Sequence, residues 1–303
     1  MVYLINNNVK RCPVSVVIPT YNRKEMLVTT IQKILECNPL PDEIIVHVDG
    51  NDLQSEQAIK NNFSDIKILK SQVNIGPGGG RNLLIKSAQH EIVASFDDDS
   101  YPIDQDYFAR LLHIFQNYPD ASVVAAATYT RKQPVGDDIK STRWVASFEG
   151  CGCAYKRTDF LKTDGYMQLQ WAYGAEEIDI AIQLYAQDGK ILQTDWLRVY
   201  HDTCHQHHKN FDINAANISN LALLAYVRYP LTMWGRGILQ VFNRVLYAVK
   251  VQRYAGIILG ITSIPSNIWS YRQRRKPVSR AALEKYLNLR KQPLTVPWQV
   301  ENF

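Results

Sequence analysis

Ile92-Val93-Ala94-Ser95-Phe96-Asp97-Asp98-Asp99 is the stretch on which the fold turns. Its first five residues form a short, mostly apolar run, too brief for a helix and without a polar face, as in a strand covered on both sides. The run ends directly in three aspartates. Upstream, Val14-Ser15-Val16-Val17-Ile18 has the same character and is closed by Pro19, with Thr20-Tyr21-Asn22 beyond it. Ile44-Ile45-Val46-His47-Val48 ends at Asp49-Gly50, and residues 66–69 and 123–128 read as further strands. Between them the period changes. Residues 23–37 carry Met26, Leu27, Thr30, Ile31, Ile34 and Leu35 at helical spacing until Asn38-Pro39. Residues 55–62, the stretch from Gly78-Gly79-Gly80 through Ala88, and 107–115 also read as helices.

Strands alternating with helices indicate a doubly wound α/β sheet, in which ligands bind beyond the carboxyl ends of the strands. Thr20-Tyr21-Asn22, Asp49 and Asp97–Asp99 all fall at such ends, so independent strands deliver polar groups to one edge. Later residues are less regular: 144–148 and 153–156 read as strands, 175–187 as a helix opened by acids, and 190–201 as a strand pair.

Adjacent carboxylates repel one another unless a cation or strong donors offset them. Hard oxygen ligands at a strand end suit Mg²⁺ or Mn²⁺ on a diphosphate, where the ion neutralises charge on a departing group. The alternative is that the aspartates cap the next helix and face solvent.

Four segments together resemble family 2 glycosyltransferases of the GT-A fold. They are Val14 to Arg23 through Pro19-Thr20-Tyr21-Asn22, the strand ending in Asp49-Gly50-Asn51, Asn74-Ile75-Gly76-Pro77-Gly78-Gly79-Gly80-Arg81-Asn82, and Phe96-Asp97-Asp98-Asp99. The resemblance implies a GT-A-type (nucleotide-diphospho-sugar transferase) mixed sheet. It also implies inverting, metal-dependent transfer of a sugar from a UDP- or dTDP-sugar donor to an acceptor hydroxyl. In that pattern Asp49 meets the nucleobase and Arg81 the donor, Pro19 and Tyr21 lie at the nucleotide, and Asp98 faces the donor sugar or ribose. Asp99 is the principal metal ligand, with Asp97 beside it and His201 as a further one. The pattern's paired aspartates on the second strand are reduced to one, because Val48 holds the first position.

Inversion needs a carboxylate to take the acceptor's proton. Trp171-Ala172-Tyr173-Gly174-Ala175-Glu176-Glu177-Ile178-Asp179 resembles the family's acidic motif and carries the base to Glu177, with Glu176 as the other candidate. Ordinary charge compensation at a helix start would also place acids there. Asp179 is expected at the core edge or in solvent. The glycines do not form a phosphate-gripping loop, because Arg81-Asn82 follow them instead of Lys-Ser/Thr. Their other reading is a tight turn.

Five cysteines are too few and too oddly spaced for a disulfide framework. A zinc site from Cys151, Cys153, Cys204 and a histidine lacks the usual spacing, so Cys151 and Cys153 read as small residues near the acceptor. His205, His207 and His208 read as loop histidines. The cysteine usage and the absence of a leader-like start predict a cytoplasmic protein.

Charge divides the chain: residues 1–204 carry 20 basic and 26 acidic side chains, residues 205–303 carry 14 and 3. We expect a catalytic domain over 1–210 and a basic, mainly helical extension over 211–303. Residues 231–253 interleave Met233, Trp234, Leu239, Phe242, Leu246 and Val249 with Arg236, Arg244, Lys250 and Arg253, which suits a helix lying on an anionic membrane surface. Packing on the catalytic body or a dimer face is the alternative. Residues 254–271 are too polar to span a bilayer, and no nucleic-acid motif is present. The acceptor expected is a carbohydrate or a lipid-linked saccharide in polysaccharide or glycolipid synthesis. Two rival readings are a sugar-nucleotide nucleotidylyltransferase, whose glycine-rich loop should directly follow the first strand, and a non-catalytic scaffold.

Overall fold

The structure, a computed structural model, describes residues 10–169, 174–203 and 211–300. The first half runs β1 (Arg11–Thr20), α1 (Lys24–Leu35), β2 (Leu40–Val48), α2 (Leu53–Asn62), β3 (Lys67–Lys70), α3 (Gly76–Ser87), β4 (Ile92–Phe96), β5 (Ser100–Pro102), α4 (Tyr107–Asn117) and β6 (Ala121–Thr130). It continues with β7 (Thr142–Trp144), β8 (Gly152–Lys156), α5 (Arg157–Leu161), α6 (Glu176–Ala186) and β9 (Lys190–His201). After that come α7 (Phe211–Arg228), α8 (Trp234–Lys250), α9 (Ile257–Thr262), α10 (Ile264–Ser270), α11 (Arg280–Lys291) and β10 (Leu294–Val296).

The strands form one mixed sheet in the order β10-β7-β9-β6-β8-β4-β1-β2-β3, with β5 paired to β9. Strands β4, β1, β2 and β3 are parallel, as the crossover helices require. β8 enters antiparallel between β4 and β6. This makes the sheet mixed and brings the segment before β8 to the end of β4.

Alternation along the strands sorts the core into two layers. Val14, Val16 and Ile18 of β1, with Val46 and Ala94, face α1 and α4 through Leu27, Ile31, Phe108 and Leu111. Val17, Ile45 and Val93 point the other way, toward Leu84 of α3, Ile180 of α6 and Leu283 of α11. Full burial of each such aliphatic contributes about 1.5–3 kcal/mol.

Several expectations change. Residues 190–201 form one long strand, not a pair; its register against β6 shifts twice, and those irregularities bend it. The strand expected over 144–148 ends at Trp144. The glycines lie inside α3 rather than in a turn before it. Asp179 is buried, held by Arg228, whose Nε donates to Oδ1 at 2.5 Å and whose Nη2 donates to Oδ2 at 3.1 Å; the solvent position is excluded.

Residues 211–300 return to the sheet. α11 supplies Leu283, Tyr286 and Leu287 to the core beside α6, β10 pairs with β7, and Trp298 stands edge-on to Trp196 at 5.1 Å. α8 differs: of its 17 residues only Gly237 and Ala248 are buried. Among the described residues no helix is long and apolar enough to cross a membrane. Trp171, Tyr173, Cys204, His205, His207 and His208 lie outside the described residues.

Candidate active site

A cleft of about 410 Å³ opens at the carboxyl ends of β1, β2 and β4, a size suited to a small-molecule ligand. Pro19, Tyr21, Asp49, Arg81, Asp97, Asp98, Glu176 and Glu177 all line it. Asp99 and His201 sit beside it, Asp99 behind Asp98 and His201 at the end of β9.

The aspartate triplet is neutralised from two sides. Arg23, at the start of α1, donates from Nη1 to Asp98 and from Nη2 to Asp99, each at 2.7 Å. Thr20 donates to the second Asp98 oxygen at 2.8 Å. Burial nevertheless pushes the Asp98 carboxyl up to about 7, against the pull of Arg23. Burial also acts upward on Asp99, but His201 and Arg23 outweigh it and hold that group below the usual carboxylate range. His201 Nε2 lies 3.2 Å from Asp99 Oδ1, and Asp99 raises the imidazole pKa against the effect of burial.

Asp97 points elsewhere. One of its oxygens pairs with Arg81 Nη2. Its carboxylate also belongs to a group with Cys151 and His201 whose ligand atoms all lie within 4.8 Å of one another. The donor set of carboxylate, imidazole and thiol fits a divalent transition ion. Asp99, expected as the principal metal ligand, is not one of these three, and its Oδ1 lies 3.2 Å from His201 Nε2. Cys151, read from the sequence as a small residue near the acceptor, is the third member of this group, while Cys153 is buried with Sγ 3.1 Å from the Tyr155 hydroxyl.

Arg81 is buried at the centre of the cleft wall, where it donates from Nε to Ser95 Oγ at 3.1 Å. Burial works against its charge, but Asp97, and more weakly Glu177, keep it protonated. Asp49 is fully engaged: its carboxylate accepts from Ser71 Oγ at 2.5 Å and from the backbone N–H groups of Ile75 and Gly76 at about 3 Å. It therefore caps α3, satisfying orphan donors at that helix start.

Glu176 and Glu177 open α6, where the positive end of the helix favours carboxylates. Glu176 is buried against α3; a Cβ on Gly78 would stand 3.1 Å from its Oε1. Burial, then the neighbouring Glu177, push Glu176 up to about 8. Glu177 is half-buried, near Gly150 and Arg81. Burial raises its pKa too, with Arg81 opposing.

Two residues lacked a sequence signal. Arg23 closes the first motif, and only the fold shows that it bridges Asp98 and Asp99. His47 is buried and lines the cleft, and neither of its nitrogens has a hydrogen-bond partner among the described residues. Burial lowers its pKa, against the opposing pull of Asp49. It is the penultimate residue of β2, in the otherwise apolar run of residues 44–48, and that setting hid it.

Known proteins share this fold. A mannosyltransferase from Pyrobaculum calidifontis, solved with GDP-Man and Mn²⁺, superposes with a TM-score of 0.56 at 13% identity over 92% of this chain and 87% of that one. GalNAc-T7, solved with UDP, GalNAc and Mn²⁺, gives 0.59 at 13% identity over 93% of this chain and 57% of the other. S. aureus TarS 1-349 with UDP-GlcNAc gives 0.54 at 15% identity over 92% and 79%. At these identities the likeness concerns the fold. No curated protein matches the sequence. The model of glycosyl transferase family 2 matches residues 15–172. That match takes in more than half of the chain and every strand end that feeds the cleft, and the chain belongs to glycosyl transferase family 2.

Proposed function

We propose that this glycosyltransferase moves a sugar from a nucleotide-diphosphate donor, UDP- or dTDP-linked, to the hydroxyl of a carbohydrate or lipid-linked saccharide. The transfer inverts the anomeric centre and serves polysaccharide or glycolipid synthesis. The observation that carries this reading is the pairing of functions across one cleft. Asp97 and His201 flank one side, Glu177 the other, and the Arg81 guanidinium lies between them. The nucleotide sugars in the similar solved structures, GDP-Man and UDP-GlcNAc, support the donor class.

Tyr21 is 44% exposed at the lip and offers a ring face to the nucleobase. Asp49 keeps the Asn74–Gly76 loop in shape at the nucleotide end, and Asp98, fixed by Thr20 and Arg23, faces the ribose or donor sugar. Asp97 and His201 would hold the cation, Mn²⁺ or Mg²⁺ on the family pattern. When bound, it offsets charge gathering on the departing diphosphate. Glu177, the less buried carboxylate of the pair, takes the acceptor's proton as the acceptor oxygen bonds to the anomeric carbon and the bond to the diphosphate oxygen breaks. Glu176, buried beside it, positions it.

We assign residues 1–210 to catalysis and 211–303 to an extension that seats the enzyme on the cytoplasmic face of an anionic membrane. The exposed side chains of Ile238, Phe242 and Leu246 on α8, with Arg236, Arg253 and Lys250 nearby, support this.

Calorimetry with UDP, GDP and TDP, with and without Mn²⁺, tests the donor site. The expected result is metal-dependent binding of one diphosphate that is lost in Asp97→Asn. Absence of binding by every diphosphate would overturn the reading in favour of a scaffold. Release of inorganic diphosphate during turnover would favour nucleotidyl transfer.

A further inference from the structure

The third protein group facing the proposed cation, Cys151, is a thiol, and Ser100 fixes its placement. Ser100 Oγ accepts from the Asp97 backbone N–H at 2.8 Å and donates to the Cys151 carbonyl at 2.6 Å. Ser100 also stands opposite His201 in the β5–β9 pairing. One small residue thus locks the backbones of Asp97, Cys151 and His201, which come from three separate chain segments. Ser95 adds a further tie by donating to the Gly150 carbonyl at 3.0 Å. Among the described residues, Cys151 Sγ donates only to Glu149 Oε2, at 3.8 Å, long even for sulfur. Behind the imidazole lies Asp99, the arrangement by which a carboxylate orients a metal-bound histidine. Arg23 pairs with both Asp98 and Asp99, and Arg81 pairs with Asp97.

The geometry points to Cys151 as a thiolate ligand in a carboxylate–imidazole–thiolate site that selects Zn²⁺ or Co²⁺ over Mg²⁺. On binding, the S–H bond breaks, a sulfur–metal bond forms and one proton passes to solvent. Thiolate and imidazole suit these borderline ions, whereas Mg²⁺ prefers oxygen and dehydrates reluctantly. The inference rests on the cation site of the proposed transferase and replaces its hard-ion expectation.

Titrating the full-length, reduced protein with Co²⁺ tests it, read by the near-ultraviolet thiolate-to-cobalt charge-transfer absorption and, in parallel, by calorimetry. The wild type should develop the band to saturation at one ion per chain. Cys151→Ser should bind Co²⁺ without the band and lose Zn²⁺ affinity by more than Mg²⁺ affinity. Ser100→Ala should keep the band but weaken Co²⁺ by about 10–100-fold, as loss of a supporting contact does. Co²⁺ binding to the wild type without the band, a band that survives Cys151→Ser, or no binding of any ion would each overturn the thiolate ligand. Failure of the glycosyltransferase reading looks different: the band and its loss in Cys151→Ser would persist while no nucleotide diphosphate bound.

Discussion

Glu177 works in a crowded electrostatic setting. Burial raises its pKa and Arg81 pulls the other way, so its proton is lost above the ordinary glutamate value of about 4.3. A base acts only when deprotonated. The rate should therefore fall as pH drops through that raised value and level off above it. Glu177→Gln should lower kcat by about 10²–10⁴-fold, abolish that acid limb, and leave nucleotide-diphosphate affinity unchanged. A pH–rate profile of both proteins with a binding isotherm is the measurement, and an unchanged profile would move the base elsewhere. At this scale the sequence displayed most of the participants, since acids and arginines cluster visibly in the motifs. Cys151 was named there, but not its neighbours. It meets Asp97 only because β8 inserts antiparallel beside β4, and no spacing rule links two residues joined by sheet pairing.

At the scale of elements, α3 and α6 press the cleft walls together, and their contacts allow no extra atoms. A Cβ on Gly80 would approach His47 Nδ1 to 2.6 Å inside the core. Gly80→Ala should cost about 1–3 kcal/mol, seen as a lower urea midpoint, because an overpacked site cannot relax freely. α6 is anchored at its other side by the buried Asp179–Arg228 pair, which ties it to α7. Arg228→Met should destabilise by about 3–5 kcal/mol by leaving Asp179 uncompensated, and the Asp179→Leu/Arg228→Met double variant should recover much of that loss. A double variant no more stable than Arg228→Met would argue that Arg228 acts through other partners such as Asp164. Strands β1, β2 and β4 were legible because aliphatic runs such as Val16-Val17-Ile18 have few other uses. β5 and β10 were not: Ser100–Pro102 and Leu294–Val296 are three residues each, and their pairing is set by neighbours distant in sequence. The tight turn stayed open as a second reading of the glycines because nothing local shows that Tyr166, Glu176 and His47 crowd that helix.

For the whole molecule, the acidic body and basic later region meet with the apolar stripe of α8 turned outward. Ile238 is 71% exposed and Phe242 57%, one helical turn apart. Sedimentation with vesicles should show binding to anionic but not neutral lipid, weakening with salt, at roughly 1 kcal/mol per basic residue near the surface. Ile238→Glu with Phe242→Glu should abolish it without altering nucleotide binding, and binding unaffected by the pair would place the contact elsewhere. The closure of the sheet has a separate consequence. Thr142 and Val296, paired in β7 and β10, are 154 residues apart, and the Tyr118 hydroxyl donates to a carbonyl 179 residues away. During translation the edge of β7 stays uncovered while the intervening residues emerge, at about 5–20 residues per second. For roughly 8–30 seconds each nascent chain therefore presents an unpaired strand edge to its neighbours on the polysome. A chaperone that shields that edge would matter more to yield than to the stability of the finished enzyme.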